Sequence, residues 1–225
     1  MASFPAHISL GIATGILGAV GLVTLASIEE PSFLIVTFAA AALGSVLPDM
    51  DSDSSVPFHV TFGSLSLIAA ALAFSFVYQE SSDNWPRLLG WTLGTAFFVW
   101  AVAGTLLKRF TRHRGMAHSL PAGLLAGLVT FFLSSHFGFT DPQAFFLMLA
   151  MMLGFLSHLI LDEVYAAVNF QGRLFSPNKA LGTALKIKSG TPAINIAVYG
   201  AILFLLAGNT GRFASLAARF RDTVP

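Results

Sequence analysis

His158 and Asp162 stand four residues apart in the segment Gly154-Phe-Leu-Ser-His158-Leu-Ile-Leu-Asp162-Glu163. On a helix, side chains at this spacing share one face, so an imidazole and a carboxylate can bind one metal ion together. The pair lies at the end of an apolar run, Ala144 to Leu161, which is typical of a membrane-spanning helix. Ionisable groups at the end of such a helix are costly and indicate function. The alternative is an interfacial pair that reaches water.

The composition is that of an integral membrane protein. Of 225 residues, 55% are hydrophobic and only 10% are charged, whereas soluble domains carry about a quarter charged residues. The mean hydropathy is +0.76. The chain has no cysteine, which excludes thiolate metal sites and leaves His, Asp and Glu as metal ligands. A net charge of +1 is too balanced to indicate nucleic acid as a partner.

Seven apolar segments predict an all-α, polytopic membrane helix bundle. A helix needs about 20 apolar residues to cross the hydrocarbon. A single integral-membrane domain over residues 1–225 is expected, with a long loop at 164–191 and a C-terminal tail at 208–225. The segments are, roughly, Ile8–Ser27, Ser32–Leu47, Phe62–Tyr78, Leu88–Leu107, Ser119–Phe137, Ala144–Leu161 and Ala193–Leu206.

If each apolar segment crosses the membrane once, most of the ionisable candidate residues lie on one side of it. Five of the six histidines fall on the side of residue 1, and only His136 falls on the other. Scattered polar loops would not sort in this way by chance. The candidate metal ligands on this side are His7, Asp49, Asp51, His113, His118, His158 and Asp162.

The basic residues predict the orientation. The loops on the side of residue 1 carry eight Lys or Arg residues, whereas the opposite connecting loops carry only Arg87. By the positive-inside rule the candidate site faces the cytoplasm, in a bacterial inner membrane. The tail, with Arg212, Arg219 and Arg221, breaks the pattern. Either it forms an amphipathic helix on the far surface, or the seventh segment does not cross fully.

Several of these motifs have ordinary explanations. Asp49-x-Asp51-x-Asp53 begins like a calcium loop, but the required glycine and glutamate are missing, which excludes one; a solvated acidic loop is the alternative. The stretch Lys108 to Arg114 serves as a basic membrane flank, although such a flank does not require histidines. His7 and His59, taken alone, are more often structural.

In combination, the motifs resemble the YdjM/YbcI-type family of bacterial inner-membrane proteins, described as predicted metal-dependent hydrolases. The resemblance covers residues 7 to 177, and Ala117 departs from it because the family commonly has threonine there. His59 lies in a segment that does not match. The motifs are His7, Gly44-Ser-Val-Leu-Pro-Asp49-Met-Asp51, His113-Arg-Gly-Met-Ala-His118-Ser-Leu and His158-x-x-x-Asp162 followed by Gly172-x-x-x-x-Pro177.

That family is distantly similar to the zinc-dependent phospholipase C and nuclease P1 group. This second resemblance implies that Asp49 or Asp51, His118, His158 and Asp162 hold one metal. His7, with Asp162 as a bridge, would help to hold another. The third metal site of those enzymes has no counterpart after Asp162, so one or two ions are expected.

These residues predict a membrane-embedded, metal-dependent hydrolase. Zn²⁺ is the expected metal, although Mn²⁺ or Fe²⁺ accept the same donors. Metal-bound water would attack a phosphoester, such as a phospholipid or a lipid-linked phosphate. Arg112 and Arg114 would bind the phosphate, and Glu163 or a spare aspartate such as Asp51 would act as general base or orient a histidine.

Two other classes of function stay open at this point. A transporter or channel with a His/Asp ion-binding vestibule would place ionisable groups along the middle of its helices, and here the helix middles are almost purely apolar. A scaffold with a structural metal would have a fully coordinated site with no open position.

Overall fold

The computed structural model describes residues 3–26, 28–51, 55–81, 83–103, 116–167, 182 and 184–223, and these are all-helical, as predicted. A 3₁₀ helix, Leu47–Asp51, follows the second α-helix, and a π-helical segment, Phe98–Ala103, follows the fourth. The α-helices are α1 (Phe4–Ala26), α2 (Pro31–Val46), α3 (Ser55–Ser81), α4 (Trp85–Phe97), α5 (Leu120–His136), α6 (Asp141–Ala167), α7 (Pro192–Gly208) and α8 (Thr210–Thr223).

Three of the described helices are long and apolar enough to cross a membrane: Phe4–Thr24, Pro31–Asp49 and Asp141–Ala167. A fourth span results if α7 and the first part of α8, which are bent by 61°, count as one. All seven predicted segments fall on helices where they are described, but a count of seven crossings is not confirmed.

The chain divides into two compact units. The first comprises Met1–Pro48 and Gly115–Pro225, and the second comprises Asp49–Arg114. Within the second unit α3 packs against α4, and Ser66 Oγ donates a hydrogen bond to the carbonyl oxygen of Ala96 at 3.0 Å. His59 is exposed there, with its ring centroid 6.4 Å from that of Trp100. That residues 1–225 form a single integral-membrane domain stays a prediction.

Glycines set the distance between the helices of the first unit. A Cβ atom added to Gly154 of α6 would overlap the carbonyl oxygen of Ala41 in α2, and one added to Gly44 would overlap that of Met151. In α1, a Cβ at Gly11 would overlap the side chain of Ser45. Small residues let helices approach backbone to backbone within lipid. The C-terminal end of α2 is therefore held directly against α6.

Helix α6 is longer than the sequence predicts. The apolar run ends at Leu161, but the helix continues to Ala167, so Asp162 and Glu163 lie inside the helix rather than at its end. The physical reason is that residues 164–167 contain neither glycine nor proline, and the loss of apolar character does not by itself end a helix. The predicted loop therefore begins after Ala167, and its residues 168–181 and 183 lie outside the described chain.

The C-terminal tail forms an amphipathic helix, as one of the two sequence-based alternatives expected. That this helix lies on the far surface of the membrane stays a prediction. Phe213 and Leu216 of α8 pack into a cluster with Phe131, near the end of α5. Arg212 Nε donates to Asp141 Oδ1 at 2.6 Å, and the guanidinium carbon lies 4.0 Å from the centre of the Phe131 ring. These contacts fasten α8 to the end of the unit where α5 ends and α6 begins.

We expect Gly154→Ala to destabilise the protein, because its methyl group would collide with the α2 backbone. Overpacking of this kind costs about 1–3 kcal/mol. Thermal unfolding in detergent would measure the effect. Gly200→Ala is the matched control, since a Cβ there meets no atom within 4 Å and alanine favours the helix. Equal midpoint temperatures for both variants would contradict close packing of α2 against α6.

We expect Arg212→Ala to loosen α8, because Asp141 would lose its charged partner and Phe131 its stacked guanidinium. Hydrogen exchange of residues 210–221, measured by mass spectrometry, should become several-fold faster. Arg221→Ala is the matched control, since Arg221 is exposed on the same helix and should leave exchange unchanged. Unchanged exchange in Arg212→Ala would show that the apolar contacts alone hold the helix.

Candidate metal centre

Two histidines and an aspartate of the first unit form a buried cluster. Their exposed fractions are 1% for His7, 0% for His158 and 5% for Asp162. Each residue offers one ligand atom, and these three atoms all lie within 4.8 Å of one another. Burying an ionised carboxylate is costly unless charged or hydrogen-bonding groups compensate it. The cluster therefore requires a specific arrangement of its partners.

Three helices position these side chains. His7 lies in the first turn of α1, rather than before the helix as the sequence indicated, and His158 and Asp162 lie one turn apart on α6. Helix α2 packs against both α1 and α6, and these two also contact each other. The glycine contacts of α2 thus bring the start of α1 and the end of α6 to the same place. The structure thus brings these three residues together, while their role as metal ligands stays a prediction.

The carbonyl group of Ser45 orients His158. His158 Nδ1 lies 2.7 Å from the carbonyl oxygen of Ser45, at the end of α2. A carbonyl oxygen only accepts hydrogen bonds, so Nδ1 carries the proton of the neutral ring and Nε2 carries the lone pair. Metal-binding histidines are typically held in this way by a partner of the other ring nitrogen.

Asp162 presents one carboxylate oxygen to each imidazole. Its Oδ1 lies 3.3 Å from His7 Nε2, and its Oδ2 lies 3.9 Å from His158 Nε2. The two rings are stacked, with centroids 3.7 Å apart and planes inclined by 14°. His7 Nδ1 is buried and has no hydrogen-bond partner among the described residues.

His118 belongs to the same end of the first unit. It is 2% exposed and lies just before α5, with its ring edge-on to that of His158 at a centroid distance of 5.5 Å. Ser119 holds this turn in place: its hydroxyl donates to the Met116 carbonyl and accepts from the Ala122 amide, which caps α5. The structure thus places His118 beside His158, while its role as a metal ligand stays a prediction.

Glu163 contacts backbone rather than the cluster. Its carboxylate accepts hydrogen bonds from the amides of Gly182 at 2.6 Å, Ala184 at 2.7 Å and Leu185 at 3.3 Å. The side chain thereby fastens the described end of the long loop to α6. Its predicted role as a base or histidine partner stays a prediction, and these contacts indicate an anchoring role.

The other predicted residues, which are Asp49, Asp51, Arg112, His113 and Arg114, belong to the second unit. Asp49 lies in the 3₁₀ helix Leu47–Asp51, half-buried, where the second unit begins. The side chain of Asp51, and the residues Arg112, His113 and Arg114, lie outside the described part of the chain. Their roles stay predictions.

Sequence reasoning missed Ser45 as a partner of His158. The contact uses the backbone carbonyl, so no side-chain type could reveal it. The available signal is the small pair Gly44-Ser45 at the end of an apolar helix, which indicates a close helix contact. His136 is exposed at the end of α5 and bonds the carbonyl oxygen of Phe132, in line with its expected interfacial role.

Two imidazole nitrogens and a carboxylate form a donor set that suits Zn²⁺. The orientation of His158 by a backbone carbonyl, and the unpartnered Nδ1 of the buried His7, are both compatible with ligation. The residues present therefore fit a bound metal ion.

The helices and this cluster define a helical membrane protein with a candidate metal centre. A model of the YdjM inner membrane protein family matches residues 1–220, and the chain belongs to that family. The protein is thus an inner-membrane protein, surrounded by a lipid bilayer. No curated protein and no solved structure gives a significant match to the chain, and the similarity to phospholipase C and nuclease P1 is unconfirmed.

We expect Glu163→Ala to release the loop without removing metal, because it deletes the acceptor of three amides and no atom of the His/Asp cluster. Hydrogen exchange at residues 182–185 should become faster by roughly tenfold or more, given about 1.5–3 kcal/mol for a hydrogen bond to a charged group. Zinc content should equal that of the unchanged protein. Loss of zinc together with unchanged exchange would instead place Glu163 in the metal centre.

Proposed function

We propose that this protein is a membrane-embedded, metal-dependent hydrolase that cleaves a phosphoester, such as a phospholipid or a lipid-linked phosphate. The observation that carries the proposal is the buried carboxylate of Asp162 between the imidazoles of His7 and His158. Hydrolysis by this mechanism depends on the binding of a metal ion.

The geometry between His158 and Asp162 favours a cation. In the neutral form of the ring, the lone pair of His158 Nε2 and the carboxylate oxygen Oδ2 are both electron-rich, and they lie 3.9 Å apart in a buried setting. A positive charge close to both atoms stabilises them, so this pair, together with His7, would hold a divalent cation.

The stacking of the two rings bears on the number of ions. The lone pair of an imidazole nitrogen lies in the ring plane, so two nearly parallel rings direct their lone pairs along separate planes. The ring centroids are 3.7 Å apart, and Asp162 has one carboxylate oxygen near each ring. One ligand atom of each residue lies within 4.8 Å of the other two, so the residues would hold one ion together, or two ions with one beside each ring.

The chemistry follows from the donor set. A bound metal ion supplies an activated water and polarises a phosphoryl oxygen. The chain itself contributes His7, His158 and Asp162 as ligands, with the Ser45 carbonyl holding the tautomer of His158. Because Glu163 already accepts three backbone amides, Asp51 is the favoured candidate for the base. Arg112 and Arg114 are the proposed donors to the phosphate.

The position of the cluster favours hydrolysis over ion transport. His7 lies in the first turn of α1, and Asp162 lies in the last two turns of α6, so the cluster sits at one end of two membrane-spanning helices. Between Asp141 and His158, α6 contains no charged residue that could pass an ion along. A site at the membrane surface suits a substrate whose headgroup already lies there. The excess of Lys and Arg on the same side favours a cytoplasmic orientation.

We expect Asp162→Asn to abolish metal binding, since it removes the charge between the imidazoles while keeping the shape of the side chain. Affinity should fall by more than the roughly 10–100-fold typical of losing an outer partner. The measurement is elemental analysis of detergent-purified protein, first stripped with a chelator and then dialysed against Zn²⁺ or Mn²⁺. The unchanged protein should retain one or two equivalents.

His7→Ala and His136→Ala form a matched pair, because the first histidine is buried in the cluster and the second is exposed. Only His7→Ala should lose metal. Hydrolysis of phosphatidyl substrates in mixed micelles should then follow metal content across all four proteins. No metal in the unchanged protein after reconstitution would overturn the proposal. Bound metal without hydrolysis would support a structural metal, and metal-dependent ion flux in vesicles would support the transporter.

A further inference from the structure

An apolar groove runs along the outside of the first unit between α5 and α6. Its volume is about 170 Å³, and its surface is almost free of polar atoms. The groove is lined from α5 by Leu120, Gly123 and Leu124, and from α6 by Leu149, Met152, Leu153, Phe155, Leu156 and Leu159.

The exposed residues around the groove indicate whether it faces water or lipid. On α5 Val129, Phe132 and Leu133 are exposed, and on α6 Leu153 and Ile160 are exposed. Helix α6 is one of the membrane-spanning helices, and the protein is embedded in a bilayer. Exposed apolar side chains around such a groove face hydrocarbon rather than water. Its natural occupant is therefore a lipid chain.

One end of the groove reaches the candidate metal centre. Leu159 directly follows His158 in α6, and Leu120 lies two residues after His118. Phe155 and Leu159 are buried and form the wall on the inner side. The aromatic ring of Phe155 rests against Gly123, where a side chain would fill the space. At that end, the lining of the groove and the His/Asp cluster therefore share the same turns of α6.

The lining residues of the groove extend over about the depth of one leaflet. From Leu149 to Leu159 the helix rises about 15 Å, at about 1.5 Å per residue. The hydrocarbon core of a bilayer is roughly 30 Å thick, so one leaflet accounts for about half of it. A groove of this length therefore follows part of one acyl chain over about the depth of a leaflet.

We propose that the groove holds one acyl chain of a phospholipid whose phosphate headgroup lies at the His/Asp cluster. The identity of the headgroup rests on the proposed function, while binding of the chain does not. The groove would hold the lipid in a fixed register, so that its phosphoester is presented to the cluster rather than free to diffuse past it.

The test is native mass spectrometry of protein that has been delipidated in detergent and then mixed with dipalmitoyl phosphatidylglycerol. Leu153→Trp and Leu156→Trp place bulk in the groove from its rim and its wall. Leu133→Trp is the matched control, because Leu133 is equally apolar and exposed on α5 but does not line the groove. We expect one bound lipid per chain in the unchanged protein and in the control. In both groove variants the bound fraction should fall at least fivefold.

Equal lipid binding in all four proteins, or none in any, would overturn the groove as a lipid site. A dimer that the two groove variants abolish would assign the groove to a second copy of the chain and would also overturn the proposal. Zinc content and Asp162→Asn separate the two ideas. Groove variants that keep zinc but lose lipid support the groove, and lipid retained by Asp162→Asn shows that chain binding stands even where the metal centre fails.

Discussion

The close contact between α2 and α6 is the constraint on which the candidate site depends. Gly44 and Gly154 have no side chains to separate the two backbones, and each faces a carbonyl group of the other helix. This spacing places the Ser45 carbonyl oxygen 2.7 Å from His158 Nδ1. Because the carbonyl only accepts, it determines which nitrogen of His158 is left to bind a ligand. Helix packing thereby decides the chemistry of a side chain.

The first unit is differently built at its two ends. At one end, buried imidazoles surround the carboxylate of Asp162, a combination that is costly in a medium of low polarity unless a cation balances it. At the other, Asp141 is already neutralised by Arg212, which is itself stacked on Phe131. The two aspartates of α6 differ accordingly: Asp141 pairs with a guanidinium, and Asp162 lies between two imidazoles, a setting that suits a metal ion.

The helix that joins these ends also offers a surface to the lipid. One face of α6 is pressed against α2 through Gly154, and another forms the groove with α5. The cluster and the groove therefore use different faces of one helix, with Phe155 and Leu159 between them. The proposed hydrolysis of a lipid would need both parts, a polar centre for the headgroup and an apolar path for the chain.

The sequence by itself determined the all-helical class, the approximate helix positions and the convergence of His7, His118 and the His158–Asp162 pair, because apolar runs and the alternation of crossings follow from composition and order alone. Tertiary structure decided the rest. The end of α6 was misplaced because hydropathy reports burial in lipid rather than helix termination. The Ser45 contact and the anchoring by Glu163 involve backbone groups brought together over long separations, and such groups have no residue-type signal.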